Sequence, residues 1–457
     1  MFTAHHAILC GGTLEKAAEH YDRLKLFTLH NFVDRDTGLL LKPSSNIAGD
    51  NYMNGPFACQ NGTSPCAGDL VDWPRSSRDN YSCEDVTTPI VSTVPNCYAS
   101  MAMDQFADIA GWLNRSSDEA LYRNAAADLR SKITSVLYNT TAGSFIDGLG
   151  YPHMAVHASI IAAASGVITT GQMADSVLAA LEARGLYTGE VLTTCWIAGA
   201  TLEGLYNMAA MSTDGRASDV ALQYMSRTGK RSWLAMIHDW TATMTMEAWS
   251  PFDNTGGPGS GTGGEGITFS HPWCSSPANV IPRLLMGISP LARGWARALV
   301  RPQPGSLKEG NLSLVLGEKG VLSVSVLQTE RSFTVTLSIP AALGSVQVCL
   351  PQPWFHKGGL CQRLEVDGST VVSKQEARFR CLVSDLRPND TGKLITTVVR
   401  VCDDVRTTAL LPRLKSNDEL GLPQLHEMSA KWQEVKTCNH RGARRSCGPA
   451  NVTVTVM

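Results

Sequence analysis

Apolar residues at Leu14, Ala17, Ala18, Tyr21, Leu24, Leu26 and Phe27 recur at helical spacing and predict an opening helix over 14–32. Further helical stretches are predicted at roughly 92–113, 117–138, 155–166, 171–185, 195–212 and 216–227, with a last one near 276–288. Leu121, Ala125, Leu129, Ile133 and Leu137 form an apolar stripe spaced by four, as a helix packed on a helix requires. Asn114, Gly143, Gly148, Gly150, Gly166 and Gly185 fall in the breaks, where caps and turns are expected, so this region reads as antiparallel helical hairpins. After 311 the pattern changes to period two and β-branched character, at 312–316, 321–327, 333–339, 345–350, 364–366, 377–382 and 394–401. Those segments predict an antiparallel β-sandwich. Two stretches break the pattern: a polar loop over 44–90, and residues 254–266, where seven of thirteen positions are glycine. No Gly-Lys-Ser/Thr follows the glycine run and no strand precedes it, which argues against a phosphate loop.

The 457 residues carry 39 basic and 41 acidic side chains, a net charge of −2 that gives no footprint for nucleic acid or an acidic membrane. The longest apolar run, 156–168, is too short to span a bilayer. Thirteen cysteines and sequons at Asn61, Asn80, Asn114, Asn139, Asn311, Asn389 and Asn451 point to an oxidising, secretory setting. No signal peptide precedes them at Met1. Cys59, Cys66 and Cys83 share the polar loop, while Cys349, Cys361, Cys381, Cys402, Cys438 and Cys447 crowd the last quarter, as in disulfide-stapled β-modules. Cys195 and Cys274, inside apolar stretches, read as buried thiols. Without a C-x-x-C pair no zinc site is expected, and no cofactor is implied.

Chemistry concentrates at Asp239 to Trp249, where Glu247 stands beside Trp249, and at Phe269-Ser270-His271-Pro272-Trp273 beyond the glycine run. A carboxylate, an imidazole and several indoles suit a sugar pocket, because aromatic faces stack on a pyranose while the titratable groups bind hydroxyls and move protons. The competing reading makes Trp240, Met244, Met246 and Trp249 core residues and Glu247 a solvated helix charge. His153 and His157, four apart, lack a third metal ligand and read as structural or sugar-contacting. Asp147 reads as a turn residue, Asp79 and Glu84 as solvated loop charges, and Glu203 as a buried carboxylate in need of a partner.

The runs Thr-Met-Glu-Ala-Trp (245–249) and Ser-His-Pro-Trp-Cys-Ser-Ser-Pro-Ala-Asn-Val-Ile-Pro-Arg-Leu-Leu-Met-Gly-Ile-Ser-Pro-Leu (270–291) resemble the α-L-rhamnosidases of glycoside hydrolase family 78. So do Asp72-Trp73-Pro74-Arg75 with Arg78-Asp79, Asp147-Gly148 followed by His157-Ala158-Ser159, and the stretch from Trp295 to Pro304. The resemblance implies an (α/α)6 toroid followed by an antiparallel β-sandwich, with a six-hairpin domain over 1–296, the sandwich over 297–406 and an irregular cysteine-containing tail over 407–457. It also implies inverting hydrolysis of terminal α-L-rhamnose, with Glu247 matching the general base. Asp72, Trp73, Arg75, Trp249, His271 and Trp273 are then the candidate sugar contacts, and a carbohydrate is the expected partner.

The family's general acid lies in a motif rich in Asp, Cys, Pro, Arg and Glu ahead of the first predicted helix, and residues 1–14 hold nothing like it. A full toroid needs twelve helices, whereas seven or eight are legible here. Together with the absent signal peptide, these departures make the chain read as the C-terminal portion of a longer, secreted enzyme. The alternatives are a carbohydrate-binding protein that has lost its acid and a scaffold without either function.

Overall fold

The structure, a computed structural model, describes residues 1–41, 71–72, 77–83, 90–186, 193–212, 214–251, 267–329, 332–351, 363–367, 369–388 and 395–402. Trp73, Arg75, Glu84, the glycine run 254–266 and the tail beyond 402 lie outside the described residues.

The longest hairpin joins helices Thr93–Trp112 and Ser116–Leu137. Asn114 turns the chain between them in the left-handed region, at φ 58°, which its short polar side chain tolerates. Phe106, Met103 and Ala107 face Tyr122, Ala126, Leu129 and Ile133 across the pair. The predicted stripe is therefore half right. Leu129, Ile133 and Leu137 are buried, but Leu121 is exposed and Tyr122 and Ala126 take the inner positions. A strict four-residue spacing advances about 40° per step beyond a whole turn, so a stripe correct at one end rotates outward at the other.

Helices Val156–Ala164, Gly171–Ala183, Ala198–Met211 and Ala217–Ser226 follow, within about three residues of expectation except that 195–197 precede the helix. The Thr170 hydroxyl caps the second of these through the Met173 amide, and Gly185, at φ 73°, ends it in a conformation that disfavours side chains. The opening helix breaks into Glu15–Glu19 and Tyr21–Leu26, and sequence periodicity missed the helices Phe2–Leu9 and Trp233–His238. Both missed helices are shorter than the window over which periodicity is read.

Among the described residues the strands form a small antiparallel ribbon, β1 (Tyr138–Asn139) with β2 (Ser144–Phe145), and two larger sheets. One has six strands in the order β10 (Ser369–Val371), β9 (Arg363–Val366), β13 (Ile395–Cys402), β7 (Ser332–Ile339), β6 (Val321–Gln328) and β5 (Glu309–Val315), all antiparallel. The other orders β11 (Ser373–Glu376), β12 (Phe379–Leu382), β8 (Ser345–Pro351), β4 (Arg297–Val300) and β3 (Ile288–Pro290). Its β4–β8 pair is parallel, because the meander β5 to β7 belongs to the facing sheet and the chain returns beside β4 only afterwards. Leu322, Val324, Val326, Val335 and Leu337 alternate inward against Val346, Val348 and Leu350. Cys349 and Cys381, paired in register across β8 and β12, form a disulfide, in line with the stapling expected of the last quarter.

One hydrophobic cluster runs from Tyr21 through the helices into the sandwich at Leu382. Asn96, fully buried, ties the chain before the long loop to the helical core: it accepts from the Leu40 amide at 2.6 Å and donates to the Leu40 carbonyl at 3.0 Å and the Ser92 carbonyl at 2.8 Å. Asn96→Ala strands both Leu40 polar groups, at about 1–3 kcal/mol each. Denaturant titration should show a lower midpoint with an unchanged slope, and a midpoint equal to wild type contradicts the assignment.

Candidate active site

Four consecutive residues, 193–196, organise the site. The Thr193 carbonyl accepts from Trp249 Nε1 at 2.9 Å, and Thr194 donates to the Asp72 carboxylate through its amide, at 2.9 Å, and its hydroxyl. Cys195 is disulfide-bonded to Cys274, with Cα atoms 4.9 Å apart, and the Trp196 ring lies 6.0 Å from that of Trp273. The backbone bends at 193 and turns over 195–197, so the side chains of this short strip ahead of the helix Ala198–Met211 reach several segments at once. The disulfide corrects the expectation of buried thiols at Cys195 and Cys274: apolar surroundings suit a disulfide as well as a thiol, and no sequence pattern separates them.

On this strip rests the segment that carries Glu247. Its amide donates to the Thr268 carbonyl at 2.9 Å, and its Oε2 accepts from the Thr268 amide at 2.9 Å. The His271 amide donates to the Thr245 carbonyl at 2.8 Å, and the Thr245 hydroxyl donates to the His271 carbonyl at 2.7 Å. Trp273 Nε1 donates to the Glu247 carbonyl at 2.7 Å, while Trp233 Nε1 holds the Cys274 carbonyl at 2.7 Å. Glu247 is thus on an irregular, doubly held segment rather than a solvated helix. Its side chain is 22% exposed, beside a 32% exposed His271 whose Nδ1 stands 4.0 Å from Oε2, too far for a hydrogen bond. The His271 and Trp273 rings are 4.3 Å apart. A water-accessible carboxylate, an imidazole and a half-buried indole share one surface, a set able to take a proton from water and to bind a hydroxyl-rich ring.

The remaining candidates divide. Trp249 is fully buried, its ring edge-on to Trp233 at 4.9 Å, so it braces the wall from behind instead of offering a sugar a face. Asp72 is also fully buried: His157 Nε2 approaches its Oδ2 at 2.8 Å, and both Thr194 donors complete it. That carboxylate is committed to protein donors and positions the strip. Burial raises the Tyr98 pKa, with the Asp72 charge adding to the effect, and burial likewise raises that of Tyr224. Both phenols stay neutral at physiological pH.

His153 and His157 serve different carboxylates, His153 Nδ1 pairing with Asp147 and His157 Nε2 with Asp72, each at 2.8 Å. Asp147, completely buried, also accepts from the Ser82 amide and hydroxyl and the Ala155 amide. Asp79 is no solvated charge: it accepts from Arg184 at 2.6 Å and from the Val156 amide at 2.8 Å, at the start of a helix whose dipole favours an anion. Glu203 finds the partner it needed in Arg283, through bonds of 3.0 and 2.5 Å, with both side chains partly exposed. Thr193, Thr194 and Trp196 were not singled out from the sequence. Their signal, a β-branched pair followed by Cys-Trp, has no periodicity to mark it.

Residues 59–284 match the family model described as the bacterial α-L-rhamnosidase six-hairpin glycosidase domain. A comparison with curated proteins found no match. Among solved structures, the chain is similar to a Streptomyces avermitilis α-L-rhamnosidase complexed with L-rhamnose, at a TM-score of 0.57 and 18% identity over 87% of this chain and 32% of that one. It is also similar to an α-L-rhamnosidase from Dictyoglumus thermophilum, at a TM-score of 0.50 and 14% identity over 67% of this chain and 31% of that one. The chain therefore spans about a third of the length of these relatives. These likenesses agree with the helical-hairpin and β-sandwich reading. Among the described residues no helix is long and apolar enough to cross a membrane.

Asp72→Ala removes the acceptor of a fully buried histidine and of two Thr194 donors, a loss of about 3–5 kcal/mol by analogy with broken buried pairs. Thermal unfolding checks it. A variant as stable as wild type would show that the 193–196 strip is held by something else.

Proposed function

We propose that this chain carries the base-bearing part of an α-L-rhamnosidase site, acting on terminal α-L-rhamnose with inversion. The observation that carries the reading is the placement of Glu247: a partly exposed carboxylate beside His271 and Trp273, in a stretch that matches the rhamnosidase six-hairpin family model. Glu247 Oε2 is steadied by the Thr268 amide, which fixes the carboxylate without neutralising it. In this role it draws the proton from the attacking water while His271 and Trp273 contact the sugar. Trp73 and Arg75 complete the proposed contacts, and the Streptomyces relative complexed with L-rhamnose supports a sugar of that class.

Inversion requires a second carboxylic acid about 6.5–9.5 Å from the base, on the other face of the sugar. The described carboxylates that sequence brought forward have other employment: Asp72 and Asp147 are saturated with protein donors, and Asp79 and Glu203 pair with Arg184 and Arg283. We assign the acid to none of them. The same observation favours a second reading, a carbohydrate-binding protein that holds rhamnose without cleaving it.

Hydrolysis of 2,4-dinitrophenyl α-L-rhamnoside, whose leaving group departs without a general acid, with the anomer of the released sugar followed by NMR, separates the two. Under the first reading wild type releases the inverted anomer, and Glu247→Gln lowers kcat by about 10²–10⁴ while rhamnose still binds. Binding without turnover by wild type supports the second reading. An active Glu247→Gln variant removes Glu247 from the role of base.

A further inference from the structure

Arg227 follows directly on the helix Ala217–Ser226. Its Cζ lies over the Tyr224 ring at 4.5 Å and the Trp249 ring at 5.0 Å. Nε, Nη1 and Nη2 are all shut off from solvent, and among the described residues none meets an acceptor at full hydrogen-bond geometry, Tyr224 giving the guanidinium only partial support. Burial is the main influence lowering its pKa, and repulsion from Arg231 adds to it against the opposing effect of Tyr224. Other deeply buried arginines among the described residues differ. Arg378 donates to the Ala209 carbonyl in the field of Asp214 and Asp219, and Arg301 lies in that of Glu376. A guanidinium offers five N–H donors in a planar fork, and leaving most of them unmet in a closed interior is costly enough to call for an acceptor.

The position of this fork relates it to the site. Trp249, one of its two aromatic supports, donates to the Thr193 carbonyl, and the Tyr224 hydroxyl stands 3.5 Å from the Thr193 hydroxyl. Arg227 is therefore one residue layer behind the strip whose next members hold Asp72, Cys274 and Trp273. We propose that Arg227 is the receptor for a monoanion bound against the Tyr224–Trp249 wall: either the carboxylate of a uronic-acid unit neighbouring the sugar in the site, or a free halide. The fork matches a carboxylate in bidentate fashion, and the aromatic faces exclude the water that would weaken the pairing. Because the nitrogens are enclosed, the anion enters with a local opening around Trp249, which indole fluorescence reports. The uronate arm rests on the rhamnoside-site reading, whereas the anion receptor itself does not.

The test titrates sodium D-galacturonate, sodium chloride, neutral D-galactose and L-rhamnose separately into the full chain in buffer free of halide and other small anions, followed by calorimetry and tryptophan fluorescence. Wild type should bind galacturonate or chloride but not galactose, and Arg227→Gln should weaken that binding about tenfold or more. Arg227→Lys keeps the charge without the fork, so it should retain chloride but lose most galacturonate affinity. This wild-type titration and the lysine variant decide the matter even if the glutamine variant fails to fold. Galacturonate binding supports the substrate-carboxylate form, and chloride binding the ion form. Rhamnose binding without anion binding, or anion affinities unchanged in both variants, overturns the inference and leaves the rhamnoside reading standing. Anion binding without rhamnose binding supports the receptor and counts against that reading.

Discussion

A carboxylate withdrawn from water must be met by donors on every side, and at Asp72 that constraint fixes the site. His157 supplies one donor from the helix Val156–Ala164, and Thr194 supplies two from the strip ahead of Ala198–Met211. Once Thr194 is placed, its neighbours have little freedom. Thr193 receives the Trp249 indole, Cys195 is bonded to Cys274, and Trp196 comes up beside Trp273. The partly exposed Glu247 and His271 are thereby presented by a scaffold tied together by hydrogen bonds and a disulfide. Rigid support behind and a few accessible groups in front are what precise positioning of a reacting molecule requires.

Buried polar residues do comparable work elsewhere. Asp147 ties Ser82 to the segment that carries His153 and Ala155, and Asp79 joins Arg184 to the start of the helix Val156–Ala164. Segments 71–72 and 77–83 are thus anchored from within by carboxylates. Their acidic residues act mainly as structural acceptors, which removes them as candidates for the second catalytic group.

Much of the fold was legible because long elements repeat their signal. Helices Thr93–Trp112 and Ser116–Leu137, and strands such as Val321–Gln328 and Ser332–Ile339, carry enough turns or alternations for the pattern to stand out. The short helices Phe2–Leu9 and Trp233–His238 did not, nor did the parallel β4–β8 pair, which depends on where the chain goes between the two strands. At the site, residue type revealed the chemistry of Glu247, His271 and Trp273. It did not reveal orientation: Trp249 and Asp72 have the same character as a sugar contact and as a buried brace, and only packing separates the two uses. Thr193, Thr194 and Trp196 escaped notice because they act through backbone position and single hydrogen bonds, which leave no periodic trace.

The most direct test of the account is a crystal structure of the chain with L-rhamnose bound. The account places the sugar ring between the Glu247 carboxylate and the His271–Trp273 pair, with Trp249 and Asp72 covered and untouched by the ligand. A rhamnose seated elsewhere, with Glu247 left in contact only with solvent and Thr268, would contradict it.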